Sequence, residues 1–168
     1  MHPDTPLEGQ SLEALFEARN LNAEAIHLNM KAVMDEAGLP YGQRSHTYNS
    51  RLAQELAKWA ETQEPIPQKG AALHDLLYAA YFVQGEDISN RDVLLRLASD
   101  AGLDVAAAEV VLDERTFSPA IDADWELSRT YGVTGVPTYV ADGRGVVGAQ
   151  ELDVLIRLVE AGGAQAVS

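Results

Sequence analysis

Apolar residues recur at helical spacing through most of the chain. Ser11 is placed to cap a short helix through Arg19. Asn22 caps a longer one in which Ile26, Met30, Val33, Met34 and Ala37 share a face until Gly38 and Pro40 stop it. Residues 41–48, Tyr41-Gly42-Gln43-Arg44-Ser45-His46-Thr47-Tyr48, are polar and read as a loop. Asn49 or Ser50 starts a helix with Leu52, Leu56, Trp59 and Ala60 on one face, broken by Glu64-Pro65-Ile66-Pro67. Leu73, Leu77, Ala80, Tyr81 and Gln84 mark the next helix, with Gly85 placed to end it in the left-handed conformation.

Ser89 or Asn90 caps a helix carrying Val93, Leu94, Leu97 and Ala101 that Gly102 ends, and Asp104 caps a short one carrying Ala108, Val111 and Leu112. Phe117, Ile121, Trp125 and Ser128 predict a longer helix up to a bend at Gly132. Only then does the period change to two. Val136 to Val140 and Val146 to Val147, joined through Asp142-Gly143, predict a β-hairpin, and Leu152, Leu155, Ile156 and Val159 a closing helix. The order is six or seven helices, a hairpin and one helix, with no internal repeat and a frayed tail expected after Ala161.

Composition narrows what such a chain does. At 168 residues and 46% hydrophobic it is long enough for one sizeable core. No apolar run is long enough to span a bilayer and the N-terminus has no signal-peptide pattern, so the cytoplasm is the expected compartment. Twelve basic against 26 acidic residues give a formal charge of −14, which repels phosphate backbones and anionic lipid, so neither nucleic acid nor membrane is an expected partner. The absence of cysteine decides more. Thiol–disulfide exchange needs a thiolate, so a chain without one cannot perform it alone, and structural disulfides and thiolate zinc sites are excluded as well.

The remaining chemistry-bearing residues give little. His2, His27, His46 and His74 match no metal-ligand spacing; His46, in the polar loop with Arg44, Ser45 and Tyr48, is the best placed of them. No Gly-x-Ser-x-Gly elbow is present, and Ser45-His46 as sequence neighbours do not make a triad. Asp113, Glu114, Asp122, Asp124 and Glu126 read as a solvated helix face rather than a calcium loop or an acid–base pair. Gly132, Gly135, Gly143 and Gly145 flank strands and form no phosphate cradle. No metal or cofactor is expected. The exception is Pro137. A proline inside a β-forming run cannot donate to a sheet ladder, so Val136-Pro137 is expected to be a bend with a cis peptide at the entrance to a strand.

Gly135-Val136-Pro137-Thr138-Tyr139-Val140, the turn Asp142-Gly143-Arg144-Gly145, then Val146-Val147-Gly148-Ala149-Gln150 and a final helix resemble the C-terminal end of the DsbA-like thioredoxin-fold family, FrnE type. His2-Pro3-Asp4-Thr5-Pro6-Leu7-Glu8-Gly9 resembles the Pro-x-x-Pro-x-Glu-Gly segment that follows the second strand in that group. The resemblance therefore runs from about His2 to about Gly162. It implies an α/β, mostly helical chain: residues 1–10 as the remnant after the second thioredoxin-fold strand, 11–131 as a helical insertion and returning helix, 132–162 as the C-terminal half of the fold, and 163–168 as a tail. The strand, Cys-x-x-Cys helix and most of a second strand that the family places earlier are not encoded. Either the chain is a fragment starting at an internal methionine or it is a degenerate relative, and the continuation of the family pattern through residues 2–9 favours the first.

The family's activity is thiol–disulfide oxidoreduction, so the resemblance implies kinship with those enzymes and, for this polypeptide alone, inactivity. It implies a substrate-facing loop at Gly135, Val136, Pro137 and Thr138 that pairs with an extended peptide or protein substrate. The first hairpin strand, Thr138 to Val140, would lack its family partner and recruit the chain's own N-terminal residues or a second copy, giving a homodimer through the hairpin edge. A non-catalytic binding or oligomerisation module is one alternative. A glutathione-dependent isomerase or transferase of the kappa-class type is another, against which Gly148-Ala149-Gln150 argues because those relatives close the hairpin with an aromatic-Gly and Asp-Arg.

Overall fold

The computed structural model describes residues 5–6, 8–64 and 67–164. Much of the His2–Gly9 motif, half of the Glu64–Pro67 break and most of the tail lie outside the described residues. The chain divides into two compact units, His2–Ile121 and Asp122–Ser168. No helix among the described residues is long and apolar enough to cross a membrane.

The first unit is helical. Its N-terminal part holds β1 (Gln10–Ser11), α1 (Leu12–Glu17), α2 (Ala23–Glu36) and β2 (His46–Thr47). The Ser11 hydroxyl accepts from the Ala14 N–H and the Asn22 side chain from the Ala25 N–H, so both predicted caps operate. The polar stretch 41–48 is not all loop: β2 pairs antiparallel with β1, Gln10 opposite Thr47, and the Leu12 N–H donates to the Ser45 carbonyl. Two-residue strands carry no readable alternation, so sequence patterning passes over them. The apolar stripe of α2 also behaves differently from a core face. No α2 residue is buried, and Leu28, Met30 and Val33 are exposed, because the main packing partner of α2 among the described elements is the short α1.

The core lies further on, among α3 (Arg51–Ala60), α4 (Gln68–Tyr78), α5 (Arg91–Asp100) and α6 (Val105–Glu114). Leu56, Leu73, Leu94 and Leu97 are its largest fully buried apolar side chains, each contributing about 1.5–3 kcal/mol by leaving water. α4 continues into a π-helical turn, Ala79–Gln84, which Gly85 ends at φ 70°. The Asn90 side chain caps α5 by accepting from the N–H groups of Asp92 and Val93. Asn90→Ala is expected to cost about 1 kcal/mol in urea unfolding, while a change below a few tenths would mean that water replaces the cap.

α7 (Ser118–Thr130) runs across the division between the units. The second unit then carries β3 (Thr138–Ala141), β4 (Arg144–Val147) and α8 (Leu152–Ala161). Asp142 and Gly143 have φ of 47° and 70°, both positive as a two-residue type I′ turn requires, and the hairpin register sets Thr138 opposite Val147 and Ala141 opposite Arg144. α8 packs on both strands but buries none of its residues, leaving Leu152, Ile156 and Val159 exposed.

Candidate substrate-binding loop

Residues 131–137 join α7 to the hairpin, and the Val136–Pro137 peptide at the end of this segment is cis. Four hydrogen bonds hold the surroundings. The Thr138 hydroxyl donates to the Gly135 carbonyl at 2.6 Å, across the proline. The Gly148 N–H donates to the Pro137 carbonyl at 2.8 Å, fastening the loop to the far end of β4. Gln150 Nε2 donates to the Val147 carbonyl at 2.8 Å, and Val133 N–H to the Ser128 carbonyl at 3.0 Å. Gly148 sits at φ 89°, a conformation side chains resist.

Val136 itself is 72% exposed, and among the described residues neither its N–H nor its carbonyl has a hydrogen-bond partner. β3 is likewise bonded on one side only, to β4, in a sheet of two strands. The four loop residues singled out from the sequence therefore form one continuous backbone segment that leads into a strand edge with unpaired polar groups. Gly135 is not there for space, since a Cβ would meet Val147 at an ordinary 3.5 Å.

The other candidates are scattered. His27 stacks on Tyr41, His74 meets Glu61 at 3.2 Å, and His46 stacks on Tyr48 with Nδ1 2.9 Å from the Ser45 hydroxyl, while His2 lies outside the described residues. Asp113 pairs with Arg91 and Glu126 with Arg129, as expected of a solvated helix face. Among the described residues no cluster of three metal-ligating side chains occurs.

Sequence reading passed over one polar centre altogether. Glu55 is fully buried in α3, yet both carboxylate oxygens are satisfied. Arg51 Nε donates to Oε1 at 2.6 Å, Arg115 Nε to Oε2 at 2.7 Å, and Arg115 Nη2 to Oε1 at 2.7 Å. Arg51 also donates to the carbonyl and hydroxyl of Ser118, tying α3 to the start of α7. Only the Arg51 and Glu55 spacing of four was visible in sequence; Arg115 arrives from 60 residues away.

A probable DsbA oxidoreductase from Streptomyces coelicolor superposes with a TM-score of 0.84 at 24% identity, covering 99% of this chain and 74% of that one. A 2-hydroxychromene-2-carboxylate isomerase gives 0.66 at 19% identity over 83% of this chain and 65% of that one. The cytosolic disulfide reductase DsbM from Pseudomonas aeruginosa gives 0.51 at 24% identity over 73% of this chain and 63% of that one. At the sequence level, the ClpXP adapter protein SpxH of Shouchella clausii is 35% identical over 95 residues, 56% of this chain but only 30% of that protein. The family model of the DSBA-like thioredoxin domain matches residues 5–160, nearly the whole chain. The chain belongs to the DSBA-like thioredoxin domain family.

Proposed function

We propose that this chain is a FrnE-type member of the DsbA-like thiol–disulfide oxidoreductases whose own contribution is to hold substrate: Gly135, Val136, Pro137 and Thr138 dock an extended polypeptide by strand addition. The observation that carries this reading is the unpaired N–H and carbonyl of the exposed Val136, which continue into the open edge of β3. Main-chain hydrogen bonds to such an edge provide affinity with little demand on substrate sequence. The chain performs no thiol–disulfide exchange by itself, since it has no cysteine to supply the attacking sulfur. The isomerase alternative has the shared fold in its favour, but Gly148-Ala149-Gln150 keeps the FrnE-type hairpin close.

Two measurements test this. With insulin and a thiol reductant, the chain is expected to leave the reduction rate at its uncatalysed value; turnover above that rate would overturn the inactivity. On adding an unstructured reduced peptide, amide exchange at Val136 and along Thr138–Val140 is expected to slow by about tenfold or more, as for a strand gaining a partner. Shifts confined to other elements would remove the loop as the docking site. If protection instead rises with protein concentration alone, and sedimentation shows a dimer, the edge is taken by a second copy, as the exposed Tyr139 and Val140 would permit.

A further inference from the structure

The first unit contains a cleft of about 1330 Å³ bounded by α1, the first turns of α2 and the segment 41–46, and Pro137 does not line it. We infer that this cleft binds a short zwitterionic peptide or amino-acid-type ligand, with its carboxylate on Arg44 and its ammonium group toward Glu13, Glu17 and Glu24. This does not rest on the reading of the 135–138 loop.

Arg44 is the reason. With 26 acidic residues for 12 basic ones, carboxylates are plentiful, and Arg51, Arg91, Arg96, Arg115 and Arg129 each pair with one. Arg44 does not; among the described residues Arg19, Arg144 and Arg157 do not either, but those three are exposed to water whereas Arg44 is half-buried. Among the described residues its guanidinium makes no hydrogen bond or ion pair, and Nε is buried without an acceptor. Leaving a buried donor unmet is costly, so such a group is conspicuous.

The side chain is nonetheless held in place. Its guanidinium carbon lies 4.4 Å from the centre of the Tyr81 ring and 4.7 Å from that of Phe82. Those rings belong to the π-helical turn, a distortion often found at functional sites. The Gly42 N–H donates to the Phe82 carbonyl at 2.9 Å, pinning the segment that carries Arg44 onto that turn. A cation fixed on two rings, with its two terminal nitrogens unoccupied, is preorganised for a carboxylate.

The rest of the lining sets the other end of the ligand. Glu13, Glu17 and Glu24 line the same cleft and make no ion pair with any described residue. Three carboxylates disfavour a polyanion and attract a cationic group. A molecule with both charges, as on the two ends of a short peptide, matches this distribution.

Nuclear magnetic resonance titration of the full chain with trialanine, its C-terminal amide, N-acetyl-trialanine and inorganic phosphate tests the assignment. Trialanine is expected to shift Glu13, Glu24 and Ser45, and amidation to weaken it about tenfold or more, the scale of a charge-assisted carboxylate contact. Acetylation should weaken it less, and phosphate should bind less tightly than trialanine. Arg44→Gln should reduce trialanine affinity to that of the amide, with Arg44→Lys in between. Equal binding of trialanine and its amide, phosphate binding as tight as trialanine, or no shift at these residues would overturn the proposal. Should Arg44→Gln fail to fold by circular dichroism, the comparison of probes on the unmodified chain decides by itself.

Discussion

Replacing Glu55 by alanine is expected to destabilise the chain by about 3 kcal/mol, the scale of breaking a buried ion pair from one side. For a chain of this size that is a fall in melting temperature of roughly 6–12 °C. The glutamate is 0% exposed, and its loss would leave Arg51, 17% exposed, without its carboxylate, while Arg115, 44% exposed, can turn to water. Burial pushes the Glu55 carboxyl up, but hydrogen bonds from Arg115 and Arg51, together with their charges, more than offset this and hold it below its ordinary 4.5. The folded chain therefore binds this proton more weakly than the unfolded chain. The stabilisation is complete above the unfolded value and is lost as pH falls through the lower, folded one. Denaturant melts at stepped pH should show the unmodified chain losing more stability than Glu55→Gln across that acidic window. Parallel curves for the two would show that the carboxylate is not held by its arginines.

Gly42→Ala is expected to have an effect of similar size for a different reason. A Cβ at this position would lie 1.9 Å from the carbonyl oxygen of Val83 and 2.8 Å from its carbon, both backbone atoms that cannot swing aside. Relief requires the 41–46 segment to lift from the π-helical turn, breaking the Gly42 to Phe82 hydrogen bond and releasing Arg44 from its two rings. Overpacking and a lost hydrogen bond together cost about 3 kcal/mol. Gly145→Ala is the control, because its Cβ would meet nothing closer than 3.5 Å. Urea unfolding of the two variants should separate them clearly, and a Gly42→Ala protein as stable as the control would mean that the close approach is easily relaxed.

Much of the fold was legible because its signals are local. Asn22, Asn90 and Asp104 cap the helices that follow them, Gly38 and Gly85 stand where helices end, and Asp142-Gly143 turns the hairpin, each through hydrogen bonds or backbone angles within a few residues. The cis bend at Val136–Pro137 was legible for the same reason, since a proline entering a β-run between glycines restricts its own neighbourhood. The absence of cysteine from these 168 residues is likewise read from the sequence alone.

Tertiary structure decided the rest. The β1–β2 pairing sets Gln10 opposite Thr47 and Ser11 opposite His46, residues 37 and 35 positions apart, through strands too short for a pattern. The apolar stripe of α2 was rightly read as helical, but periodicity states only that a face exists, and which neighbour covers it depends on packing; here Met30 and Val33 remain exposed. Glu55 looked like an ordinary helix glutamate until Arg115 closed over it. Arg44 looked like part of a polar loop until the π-helical turn placed two rings beneath it. In each case the deciding partner is distant in sequence, and ionic, aromatic and strand contacts of that kind leave no periodic trace in the segments that make them.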